Sequence, residues 1–263
     1  MAAGTALVTG ASAGIGREFC HQLGARGYDL ILVARDGPRI DALAAELRSR
    51  YGLQAEALVA DLTRESDVAR VAARITKTPT LSLLVNNAGF GTTGSVAGAP
   101  PGQQEDMLRL HVLAPMRLTQ AALPGLLARA QGAIVNVSSI ASFMYSAGSV
   151  NYCASKAYLT TFTEGLAAEL RGSGVGAQAL CPGFTRTEFH QRMTAGADQQ
   201  AASRPRLLWM TAEFVVGVSL RQLERGGPVV CIPGIRYKMI IGLVRLLPRR
   251  IIGVITGRKY RRV

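Results

Sequence analysis

Short apolar, β-branched runs recur along the chain at 5–9, 29–34, 57–60, 81–85, 133–137, 175–181 and 228–232. Stretches of helical character separate them, at 17–23, 40–50, 65–76, 103–129, 151–171 and 212–225. Strand and helix in steady alternation predict an α/β domain, with a parallel sheet covered by helices on both faces. Right-handed crossovers place the turns that follow the strands along one edge of such a sheet, where ligands bind. No internal repeat, linker or low-complexity segment breaks the alternation. The pattern predicts one domain over residues 1–234, followed by a basic, apolar tail over 235–263.

The turns at that edge carry the polar chemistry. After the first strand comes Gly10-Ala11-Ser12-Ala13-Gly14-Ile15-Gly16, and then a helix that opens with Arg17. Strand, glycine-rich turn and helix form the context a dinucleotide loop needs. Glycines let the backbone approach a pyrophosphate, and a helix N-terminus offers free N–H groups and partial positive charge. Further along, Tyr152-Cys153-Ala154-Ser155-Lys156 puts a phenol and an ammonium one turn apart on a helix face. A neighbouring positive charge favours the phenolate, so Lys156 is expected to lower the Tyr152 pKa into a useful range. A hydroxyl from Ser139 would hold a carbonyl oxygen beside it. Each motif alone has a plainer reading, a tight turn or a surface Tyr-Lys pair.

Together, Thr9-Gly10-x3-Gly14-x-Gly16, Asp61-Leu62, Asn86-Asn87-Ala88-Gly89, Ser139, Tyr152-x3-Lys156 and Pro182-Gly183 resemble the short-chain dehydrogenase/reductase family in order and spacing. The resemblance covers most of the chain and stops short of the last thirty or so residues. It implies a single doubly wound (Rossmann) domain with a mainly parallel seven-stranded sheet, in the order 3-2-1-4-5-6-7. It also implies hydride transfer between a nicotinamide cofactor and a carbonyl/alcohol pair. Ser139 would orient the carbonyl, Tyr152 exchange its proton, and Lys156 bind the nicotinamide ribose. Gly10, Ser12, Gly14, Ile15 and Gly16 would cradle the pyrophosphate. Asp61 and Leu62 would touch the adenine, although a helix N-cap is an equally natural role for Asp61. Asn86, Ala88 and Gly89 would line the cleft. Pro182, Gly183, Thr185 and Thr187 would close over the nicotinamide and phosphates.

The cofactor's identity turns on the end of the second strand, Val33-Ala34-Arg35-Asp36. A carboxylate there suits the 2′-hydroxyl of NAD(H). Arg35, with Arg17, suits a 2′-phosphate, so NADP(H) is expected and NAD(H) is the alternative. Asp36 is expected to cap the next helix, because Gly37-Pro38 follows. The family's usual catalytic asparagine is replaced by His111, and Pro115 stands four residues later. Proline has no N–H for the carbonyl of residue 111, which is then free to hold a water in reach of Lys156. Three readings of His111 stay open: the water relay, an imidazole relay titrating near pH ~6.5, and simple packing in the helix.

Composition narrows the remaining classes. Hydrophobic residues make up 48% of the chain, which excludes wholesale disorder. The four cysteines and three histidines are scattered, which argues against a disulfide framework or a metal site and for free thiols in a cytoplasmic protein. No signal peptide or spanning helix is expected. The formal net charge is +13, and no acidic residue follows Glu224. Over 235–263, Arg236, Lys238, Arg245, Arg249, Arg250, Arg258, Lys259, Arg261 and Arg262 flank two apolar clusters, Met239 to Leu247 and Ile251 to Ile255, separated by Pro248, a pattern suited to an anionic membrane surface. The competing reading packs this segment on the domain or a sister subunit. Nucleic acid is disfavoured, because stacking aromatics are missing. Phe143, Met144, Tyr145 and a lid over 190–210 predict a fair-sized apolar substrate, such as a 3-oxoacyl group or a steroid. A homodimer or homotetramer is the expected assembly. The rival from another class is a catalytically weak nucleotide-binding regulator or membrane-surface scaffold.

Overall fold

A computed structural model of the chain describes residues 4–92, 94–189 and 206–248. The first six strands are β1 (Thr5–Thr9), β2 (Asp29–Ala34), β3 (Ala55–Val59), β4 (Leu81–Asn86), β5 (Gly132–Val137) and β6 (Val175–Leu180). Two short strands follow, β7 (Thr185–Arg186) and β8 (Met210–Thr211), and then β9 (Val230–Cys231). The main sheet is seven-stranded, in the order β3-β2-β1-β4-β5-β6-β9, and every pairing in it is parallel. This is the expected doubly wound order. The seventh position is filled by β9 because β7 and β8 pair with each other in a sheet of their own.

Alternation along the strands sorts the core into two layers. Ala6, Val8, Leu30 and Leu32 point to one face, where α1 (Gly14–Gly24), α2 (Gly37–Tyr51) and α7 (Ala212–Glu224) bring Phe19, Leu43 and Val216. Leu7, Ile31 and Val33 point to the other, where α3 (Glu65–Thr76), α5 (Ala114–Ala128) and α6 (Val150–Glu169) bring Val71, Leu118 and Leu166. A strand side chain changes face at every step, so this register is fixed by burial on both sides.

The single helix expected over 103–129 is broken. It comprises α4 (Pro101–Leu108), a π-helical turn (Arg109–Leu113) and α5. Pro115 explains the break: it cannot donate to the carbonyl of residue 111, and the ladder widens so that Ala114 N–H reaches the Arg109 carbonyl instead. Asp36 caps α2 as expected, its carboxylate accepting from the Arg39 N–H at 3.2 Å. Asp61 does not cap α3. Its carboxylate accepts from the backbone and hydroxyl of Thr63 in a local turn, and the N-cap position falls to Arg64.

The segment expected as a tail from residue 235 begins with α8 (Ile235–Leu246), which packs on the domain through Tyr237 and Ile241. The Tyr237 hydroxyl accepts from Phe184 N–H and donates to the Leu208 carbonyl. Among the described residues, no helix is long and apolar enough to cross a membrane.

Candidate active site

The glycine turn takes its shape from backbone demands. Gly10 and Gly14 adopt φ of 67° and 54°, a region costly for other residues. A Cβ on Gly16 would stand 2.2 Å from the Gly10 carbonyl oxygen, so only glycine fits there. The turn ends in α1, whose first turn has no side-chain cap and no acidic residue. Its N–H groups, following Ser12 and including those of Gly14, Ile15 and Gly16, are thus available to an anion. The shape and chemistry fit the pyrophosphate of a dinucleotide.

A clasp joins this turn to the end of β4. Thr9 hydroxyl accepts from the N–H groups of Asn87 and Ala88, at 2.9 and 3.0 Å. The Asn87 amide donates to the carbonyls of Thr9 and Gly10. Asn87, one residue beyond the expected Asn86, therefore fixes the loop. The side chain of Asn86 does not line the cleft. It is buried between sheet and helices, donating to Asn136 at 2.8 Å, and Asn136 in turn donates to Thr163 of α6. The signal was visible as two consecutive asparagines at a strand end: the side chain of the first points into a layer, and the second lies at the edge.

Ser139, Tyr152 and Lys156 converge, as the spacing requires. Ser139 sits at the N-cap of a 3-10 turn (Ile140–Phe143), two residues beyond the end of β5. Its hydroxyl engages the Tyr152 phenol and favours the ionised form, while burial acts more strongly and pushes the phenol up to about 12. This corrects the expectation of a lowered pKa: desolvation outweighs the neighbouring groups. The Lys156 ammonium lies 5.9 Å from the centre of the Tyr152 ring and donates to the Val137 carbonyl at 2.9 Å. Burial lowers its pKa to about 8. Gly89 lies against both His111 and Lys156, 2.8 and 3.6 Å from where its Cβ would be.

His111 is buried, and both ring nitrogens are engaged. Nε2 accepts from Phe90 N–H at 3.1 Å, and Nδ1 lies 3.0 Å from the Ser155 hydroxyl. Acceptance at Nε2 leaves the proton on Nδ1, donated to Ser155, whose hydroxyl donates to the Tyr152 carbonyl. Burial and, secondarily, the Lys156 charge hold His111 well below its ordinary value. A buried ring held neutral does not favour an imidazole relay titrating near pH ~6.5. The ring instead ties the 88–90 segment to α6 and stands edge-on to Tyr152, with centroids 5.9 Å apart.

The adenosine end is more dispersed. Arg35 is exposed at the end of β2. Arg17 pairs with Glu46 of α2 at 3.1 Å, both side chains being well exposed. Arg39 makes a two-pronged bond to Glu188, at 2.9 and 2.6 Å, across from α2 to the segment after β7. Thr187 lies against Gly14, with its Cβ and Cγ2 3.0 Å from where a Cβ on Gly14 would be. Thr185 donates to the Gly183 carbonyl. Pro182, whose carbonyl accepts from Ile140 N–H, and Gly183, which packs on the Tyr237 ring, close this side. Asp61 and Leu62 follow β3, with Leu62 buried beneath α3. On the substrate side Phe189 lies 6.2 Å from Tyr152, and Trp209 packs on Phe184. One face of Phe143 is covered by Arg245 of α8 rather than open to a ligand. Most of the expected lid, 190–205, lies outside the described residues.

This edge of a doubly wound sheet, with its glycine turn and its Ser-Tyr-Lys cluster, matches the family model described as short chain dehydrogenase over residues 4–198. The chain belongs to that family and is an oxidoreductase. It is 34% identical over 199 residues to the uncharacterized oxidoreductase YmfI of Bacillus subtilis, spanning 75% of this chain and 81% of that protein. It is 35% identical to the very-long-chain 3-oxoacyl-CoA reductase of Phaeosphaeria nodorum, over 66% of this chain and 53% of that enzyme. A short-chain dehydrogenase from Sphingobium yanoikuyae, solved in complex with NADPH, superposes with a TM-score of 0.83 at 36% identity. The match covers 92% of this chain and 93% of that one.

Proposed function

We propose that the protein uses NADPH to reduce the ketone of an apolar substrate, with a long-chain 3-oxoacyl group as the best-supported class. The observation that carries the reading is the meeting of Ser139, Tyr152 and Lys156 at the edge where the uncapped α1 begins. The nicotinamide supplies the hydride when bound. Ser139 holds the carbonyl oxygen against the Tyr152 phenol. The phenol delivers its proton to that oxygen as negative charge builds on it. A buried phenol with a raised pKa remains protonated at neutral pH, which is the form a reductase needs. Lys156, held by the Val137 carbonyl, places positive charge beside the phenol and near the nicotinamide ribose. His111 keeps Phe90 and α6 in register through its two hydrogen bonds, and the carbonyl of residue 111, to which Pro115 offers no N–H, is the proposed site for a water that refills Tyr152 through Lys156.

Preference for NADPH rests on Arg35. Asp36 is occupied as a helix cap, and Arg17 and Arg39 are engaged by Glu46 and Glu188. The NADPH complex of the Sphingobium relative supports the same choice. The substrate class is supported by the 3-oxoacyl-CoA reductase relative and by Phe189 and Trp209 on the substrate side.

The test is NADPH oxidation, followed by absorbance, with 3-oxoacyl thioesters of increasing chain length and with bulky ketones. Turnover should rise with chain length, and NADPH should be preferred over NADH by about tenfold or more through a charge-assisted phosphate contact. Cofactor binding with no ketone-dependent oxidation would favour the regulator reading instead.

A further inference from the structure

Helix α8 presents two apolar faces. One, centred on Tyr237 and Ile241, is buried against the domain. The other faces outward, where Ile235, Met239, Leu243 and Leu246 are 70%, 69%, 61% and 83% exposed. Their spacing of four, four and three residues aligns them in one stripe about 80° wide, directly opposite the buried face. A stripe of large apolar side chains in water marks a surface that meets something else.

Charge identifies the partner. Arg236 borders one side of the stripe and Lys238 the other, while Arg245 lies nearer the buried face, over Phe143. No acidic residue follows Glu224, and the sequence beyond the helix adds Arg249, Arg250, Arg258, Lys259, Arg261 and Arg262. A second copy of this helix would set like charges face to face, whereas an anionic lipid surface complements both the stripe and its basic borders.

We propose that α8 docks the protein on an anionic bilayer through Ile235, Met239, Leu243 and Leu246. The helix stands next to the reaction centre. Tyr237 contacts Gly183 and bonds to Phe184, and Arg245 lies over Phe143 of the turn that Ser139 caps. Docking there brings the substrate side of the cleft to the lipid, so that an apolar substrate of the kind proposed above enters from the bilayer without crossing water. The docking itself does not depend on that substrate.

The experiment is vesicle flotation of the full chain, with phosphatidylcholine alone and with about one-third phosphatidylglycerol. Wild type should float with the anionic vesicles and bind neutral ones at least tenfold less, and high salt should release it. Met239→Asp with Leu243→Asp should cut anionic binding tenfold or more, with melting temperature and NADPH affinity unchanged. Leu246→Glu, at the exposed end of the helix, is the milder variant should the double one not fold. Lys238→Gln should weaken binding about fivefold, the worth of one basic residue near the surface. Failure of wild type to float, or equal flotation of the variants, would overturn the proposal. So would a wild-type oligomer that the double variant dissolves, since the stripe would then be covered by a second copy. None of these readouts depends on turnover, so they leave the assignment of activity untouched.

Discussion

Burial sets the chemistry of the individual side chains more than pairing does. Tyr152 and Lys156 are both pushed toward their neutral forms, at about 12 and about 8. If the Lys156 charge assists the reduction, kcat/KM with NADPH should fall as pH rises above about 8, where the amine loses its proton. A profile that is flat or rising from pH 7.5 to 9.5 would contradict this. His111 has the opposite window. Its folded pKa lies well below 6.5, so below that value the unfolded chain takes up a proton the native one refuses, and stability falls as the solution is acidified. The melting temperature of wild type should therefore drop more steeply between pH 7 and 5 than that of His111→Asn. Parallel curves would mean that the ring is not held neutral. Gly16→Ala should abolish NADPH binding by calorimetry, because its methyl group would meet the Gly10 carbonyl and the Asn87 amide, 2.2 and 2.4 Å away.

Among the secondary-structure elements, the π turn and α8 have the clearest consequences. Pro115→Ala would restore a donor to the carbonyl of residue 111 and tighten the helix toward regular geometry. That shift would draw His111 off Phe90 and Ser155 and remove the proposed water site. We expect kcat to fall by about tenfold or more, within the usual worth of general acid–base assistance, without loss of melting temperature. Tyr237→Phe removes the two hydrogen bonds that join α8 to Phe184 and Leu208. It should cost about 1–3 kcal/mol in denaturant unfolding. The π turn was not legible in the sequence as a break. Pro115 was visible, but the apolar periodicity runs through it, and only the competition for one carbonyl decides the geometry. The end of α8 was legible, since Pro248 follows it closely. Its one-sided burial was not, because periodicity does not say which of two apolar faces meets the domain.

Across the molecule, the convergence of distant motifs on one edge was readable from alternation, because parallel crossovers leave few alternatives, while the strand order came with the family resemblance. The parts that misled were those decided by competition among charged or polar neighbours. Arg17 went to Glu46, Asp61 to Thr63, and the Asn86 side chain into the core while Asn87 took the loop. Of Arg17, Arg35 and Arg39, the first and last are in ion pairs among the described residues, and the 2′-phosphate is proposed to fall to Arg35. Arg35→Ala should raise KM for NADPH at least tenfold and leave that for NADH within about twofold, the loss of one charge-assisted contact. The proposed chemistry turns on Tyr152 as the proton donor, so the most direct measurement is kcat/KM of Tyr152→Phe with NADPH and a long-chain 3-oxoacyl thioester, alongside NADPH affinity. It predicts a loss of about a hundredfold or more with cofactor affinity held within about threefold. Turnover of the variant within a few-fold of wild type would contradict it.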